Sequence, residues 1–81
     1  MKAAILVVDM INEFIHGKLK VENARKIVPN IQKLLQFARE NKIPVIYCND
    51  SHTLTDPEIK LWGPHAMKGT EDARVVRELQ P

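Results

Sequence analysis

Ala3-Ala4-Ile5-Leu6-Val7-Val8-Asp9 follows directly on Met1-Lys2 and decides how the rest of the chain is read. The run is apolar without polar alternation. An Ile/Val-rich run of this length suits a parallel strand buried on both faces. It ends in an acid, and a carboxylate at the end of an apolar strand is costly unless it is used. The next run of the same kind is Val45-Ile46-Tyr47-Cys48, leading into Asn49-Asp50. Between them, Ile27, Ile31, Leu34, Leu35 and Ala38 share one helical face, within a helix expected between Glu22 and Glu40. Pro29 fits best in a first turn, so the main helix is expected to start near Val28 after a separate turn. Asn41 suits the left-handed position after the helix, and Pro44 stops further helix.

Strand, helix, strand is a βαβ unit with a parallel pair and a right-handed crossover. Both carboxyl ends then lie on one edge of the sheet. Asp9 and Asp50 are expected side by side there, where open α/β sheets bind ligands. Met10 to Val21 reads as a loop, and so does Thr53 to Thr70, with Pro57, Gly63, Pro64 and Gly69. A last helix is expected from Glu71 to Leu79, with Thr70 as N-cap and Val75, Val76 and Leu79 on one side. Two strands and two helices leave open edges and uncovered apolar surface. The chain is therefore expected to be the N-terminal part of a larger domain, completed by a downstream half, or to fold only with a partner segment.

Asp50-Ser51-His52, then Trp62-Gly63-Pro64-His65, places one carboxylate and two imidazoles in a short stretch. Residues i and i+2 of an extended segment point to the same side. Asp50 and His52 can aim at one point, and His65 can return across the loop as a third ligand. Mixed O/N ligands with open positions suit a catalytic Zn, Fe or Mn site. Glu58 or Ser51 is a candidate fourth ligand. The plainer reading is a polar loop whose histidines hydrogen-bond locally. Cys48 lies inside a strand with no helix N-terminus behind it, so it reads as a buried core thiol, not a nucleophile. Phe37 should pack within the helix, and His16 should lie on the surface.

The chain has 81 residues, a net charge of +2 and one cysteine. That length allows one small domain, burying only roughly 60% of its unfolded surface. No basic stripe suggests nucleic acid. A lone cysteine forms no intrachain disulfide and gives no sign of secretion. The opening apolar run is too short for a signal peptide or a membrane span. A cytoplasmic protein, without membrane or nucleic-acid partners, is expected.

These residues resemble a known family. Ala4 to Met10 with Asn12 and Phe14 looks like the opening strand and loop of the isochorismatase-like cysteine hydrolases, which include the nicotinamidases. Ile43-Pro44-Val45-Ile46-Tyr47 is similar to that family's second strand. Asp50-x-His52 and Trp62-x-x-His65 resemble the metal motif of its nicotinamidase branch, and Lys68-Gly69-Thr70-Glu71 the stretch that follows. The resemblance implies a three-layer αβα fold around a parallel, Rossmann-like sheet, with only the N-terminal part in residues 1–81. It implies hydrolysis of a small amide through a thioester, with Asp9 as base. The nucleophilic Cys and a Lys belong to later segments. It further implies a divalent metal, Zn before Fe or Mn, on Asp50, His52 and His65. Phe14 and Trp62 would line the substrate pocket, and the assembled protein would be a homo-oligomer. Ile11 and Glu13 stand where nicotinamidases commonly carry Gln and Asp, and Ala66 where a Cys is frequent.

Two other readings compete. A non-catalytic module of the same fold fits a chain without a nucleophile. A receiver-like phosphoacceptor switch would use Asp9 and Asp50, but Met10-Ile11 replace its usual second acid and His52 and His65 would have no role.

Overall fold

The computed structural model describes residues 2–81. Strands β1 (Ile5–Val8) and β2 (Val45–Cys48) pair in parallel, with Ile5 opposite Val45 and Val8 opposite Cys48. Helix α1 (Asn12–Ile15) follows β1, helix α2 (Glu22–Glu40) connects the strands, and helix α3 (Pro57–Trp62) lies beyond β2. The architecture is α/β, as expected. α2 is continuous and does not restart at Val28. Pro29 sits inside it and is exposed. The Arg25 carbonyl that loses its partner there belongs to an exposed residue, so water can satisfy it. Val28, Leu35 and Ala38, buried on the sheet side, hold the helix across the interruption. α2 ends with Ile43 N–H donating to Ala38 O at 2.8 Å, and the left-handed residue is Lys42 (φ 56°), not Asn41.

The core gathers Val7, Met10, Ile15, Val28, Leu35, Val76 and Leu79, with Ile5, Val45 and Tyr47 packed against it. All the strand residues in this set lie on one face, because strand side chains alternate. The other face carries Leu6 and Val8 opposite Ile46 and Cys48. Leu6 is 58% and Val8 56% exposed. Burial on both faces, expected from the unbroken apolar run, therefore does not hold here. Cys48, expected to be buried, is exposed for the same reason. Ile27, Leu34 and Phe37 also stand largely exposed, so the inward stripe of α2 is centred on Val28 and Leu35.

The expected helix from Glu71 to Leu79 is absent. Two short 3-10 turns, Glu71–Ala73 and Arg77–Leu79, flank an extended piece. In that piece Asn12 N–H donates to Arg74 O and Val76 N–H to Met10 O, both at 2.9 Å. The β-branched pair Val75-Val76 favours this pairing over helix. It still buries Val76 and Leu79 completely. Tyr47 Oη then donates to Leu79 O at 2.6 Å and ties the last turn to β2.

Candidate metal centre at the carboxyl edge of the sheet

Asp9 closes the ladder by donating its N–H to Cys48 O at 2.9 Å. It then turns left-handed (φ 55°), a conformation Asp tolerates better than most residues. The turn brings its Oδ1 to the Asp50 N–H at 2.8 Å. The two acids are thus joined at the shared edge of the parallel pair.

Beyond Asp50, the backbone of His52 is clamped on both sides. Its N–H donates to Ala66 O at 2.9 Å, and its carbonyl accepts the Lys68 N–H at 2.8 Å. This short parallel bridge brings residues 63–67 against His52. The rings of His52 and His65 meet edge to face, 4.7 Å between centroids. Each Nδ1 faces an acceptor. That of His65 lies 2.8 Å from Gly63 O, and that of His52 lies 3.1 Å from Asp56 Oδ2. Neither partner can donate, so in the neutral rings both Nδ1 atoms carry the proton and both Nε2 atoms keep a free lone pair.

The third member comes from α3, which forms inside the segment expected to be a loop. Pro57 suits its first turn. Glu58 and Trp62, four apart, project from one side of the helix. Glu58 Oε2 stands 3.1 Å from His52 Nε2 and 3.8 Å from His65 Nε2. Ligand atoms of His52, Glu58 and His65 all lie within 4.8 Å of one another. Asp50 Oδ2 is 3.6 Å from His52 Nε2, but Asp50 is not one of this mutually close set. The structure thus brings His52 and His65 together, sets Asp50 beside them, and adds Glu58, foreseen only as a candidate fourth ligand.

These residues fit a divalent metal on a specific ground. His52 Nε2 is buried and makes no hydrogen bond among the described residues, despite a carboxylate nearby. A buried polar atom without a partner is costly unless another group satisfies it. Two imidazole nitrogens and one carboxylate are a donor set suited to Zn, Fe or Mn. Asp56, which orients His52, is held below the ordinary carboxylate range by the Thr53 N–H first and by His52 second.

A cleft of about 260 Å³ opens beside the group, lined by Phe14, Leu19, Asp50, Glu58, Trp62 and His65. Phe14 and Trp62 are both among its lining residues. Leu19 carried no signal in the sequence. Glu13, only 2% exposed, was noted for its position and not for burial. Its signal is an acid with Ile11 two residues before it and Phe14-Ile15 directly after it.

A parallel pair ending in acids, with an imidazole–carboxylate group beside a small cleft, defines a partial α/β domain with its candidate site at the carboxyl edge of the sheet. Residues 3–81 match the isochorismatase domain, and the chain belongs to that family. The solved N-carbamoylsarcosine amidase from Thermoplasma acidophilum superposes with a TM-score of 0.92 at 48% identity, over 100% of this chain and 47% of that one. Nicotinamidase PncA from Bacillus subtilis superposes at 0.88 with 36% identity and the same coverage. A probable inactive nicotinamidase of Arabidopsis thaliana is 31% identical over 84 residues, 90% of this chain and 43% of its own length. The chain spans between a third and a half of the relatives it matches. Among the described residues, no helix is long and apolar enough to cross a membrane.

Proposed function

We propose that this chain supplies the metal-centre and base half of a nicotinamidase-type amidohydrolase. The observation that carries the reading is the buried, unbonded His52 Nε2 facing Glu58, beside the joined acids Asp9 and Asp50. Asp9 accepts the proton of a thiol supplied by the rest of the family's domain. The thiolate adds to the carbon of a small amide, ammonia leaves, and water cleaves the thioester. Phe14 and Trp62 hold a flat, aromatic substrate between them. His52, Glu58 and His65, with Asp50 beside them, would hold the metal, which supplies Lewis-acid polarisation and a fixed anchor when bound. The bare sheet face and open strand edges are where the remaining half of the domain packs.

Zinc titration of the chain tests the first part. One zinc should bind, and His52→Ala should weaken it by more than the roughly 10–100-fold that loss of an outer partner costs. Absence of binding would remove the metal reading. The inactive relative favours a second reading, a non-catalytic module. In that case the completed domain would bind zinc yet leave nicotinamide and related amides intact.

A further inference from the structure

We infer that Glu13 is a positioning residue for the metal centre, acting through the backbone of Ala66; this rests on the metal reading above. Glu13 and His65 are the two buried polar or charged residues among those described, at 2% and 4% exposure. The backbone links them. Glu13 Oε1 accepts the Ala66 N–H at 3.1 Å, and Ala66 directly follows His65. On its other side, the Ala66 carbonyl accepts the His52 N–H at 2.9 Å. One carboxylate therefore holds the N–H of the residue, Ala66, whose carbonyl holds His52 and whose chain neighbour is His65.

Three further observations point the same way. Ala66 is left-handed (φ 44°), a conformation alanine resists, so outside bonds must hold it. Glu13 Oε2 lies 3.4 Å from the Leu19 N–H, and Leu19 lines the same cleft. A Cβ at Gly17 would collide with the Glu13 carboxylate, so glycine leaves the room this side chain occupies. A buried carboxylate is expensive unless hydrogen-bonded. Here backbone amides satisfy it, and those amides belong to two segments that shape the site. Glu13 is not among the residues lining the cleft, and its carboxylate bonds backbone amides, so its role is to place other groups.

Glu13→Gln tests this, because it keeps the shape but puts an NH₂ where one amide needs an acceptor. The readouts are far-UV circular dichroism, zinc affinity by competition with a chelator, the visible absorption of bound Co(II), and ¹⁵N signals of the histidine rings. With secondary structure intact, zinc binding should weaken about 10-fold or more. The Co(II) band should change shape, and the His65 and His52 ring signals should move, while Leu35 and Val76 methyl signals stay. Zinc affinity within about twofold of the unaltered chain, with unmoved ring signals, would overturn the inference. So would equal disturbance of the Leu35 and Val76 methyls, which marks general support of the fold. If the variant does not fold, the unaltered chain decides. A slowly exchanging, downfield-shifted Ala66 amide supports the link, and a freely exchanging one overturns it. If the unaltered chain binds no zinc, the metal reading fails, while the ring and amide signals still judge Glu13.

Discussion

The two faces of the β1–β2 pair have nearly the same composition and opposite surroundings. Ile5, Val7, Val45 and Tyr47 lie under α2 and the closing turns, while Leu6, Val8, Ile46 and Cys48 lie bare. An exposed strand face is ordinarily polar. Apolar residues on both faces describe a sheet meant to sit between two layers, of which residues 2–81 show one. The carboxyl edge lies where the two faces meet. Its Glu13 and Asp56 contacts are complete within this chain, whereas the Asp9 carboxylate has one partner among the described residues, the Asp50 N–H. The comparison separates what this chain holds by itself from what it offers to the rest of a domain.

The largest effect should come from the side that needs completion. In the domain completed by the family's remaining half, Asp9→Asn should lower small-amide hydrolysis by about 10²–10⁴-fold. The amide oxygen can still accept the Asp50 N–H, so zinc affinity should hold. Unchanged turnover in this variant would show that Asp9 is no base.

The faces themselves give the next effect. Leu35 is 1% exposed beneath the covered side, and Leu35→Ala should cost about 2–5 kcal/mol in urea unfolding. Leu6→Ala, on the bare side, should change stability by no more than about 0.5 kcal/mol in this chain. In the completed domain the Leu6 cost should rise toward that of Leu35. If it does not, the bare face is not a packing face.

Much of the frame was legible in the sequence, because period and punctuation carry it. An unbroken apolar run, a helical stripe and a second run fix a βαβ unit, and the terminal acids follow. Periodicity could not say that Cys48 and Leu6 would lie bare, since exposure depends on which layers are present. The helix was legible, and Ile31, Leu35 and Ala38 face inward as expected, but Ile27 and Leu34 stand exposed and Val28 takes a buried place instead. The final segment departs from helix because Arg74 and Val76 find backbone partners at Asn12 and Met10, a pairing across more than half the chain. At the site, Asp50, His52 and His65 stood out by residue type and spacing. Glu58 converges only once α3 forms inside an apparent loop. Leu19 is brought to the cleft, and Glu13 to the Ala66 amide, by tertiary contacts alone.

The smallest effect concerns Asp56, which belongs to the self-sufficient side. Its carboxylate accepts the Thr53 N–H at 2.9 Å and faces His52 Nδ1 at 3.1 Å. Both hydrogen bonds favour the ionised form, and the backbone bond is the larger cause of the lowered pKa. A carboxylate lowered on folding contributes stability that is fully present above its ordinary, unfolded value. That contribution is lost as pH falls through the lower folded value, so it is felt only in acid and stays constant at neutral pH. The Asp56 ¹³Cγ signal should therefore titrate below the ordinary aspartate midpoint. In His52→Ala the midpoint should rise only part of the way, because the Thr53 amide remains. A complete return to the ordinary value would make His52 the dominant partner. It would also turn the link round, with the histidine holding Asp56 in place instead of being oriented by it.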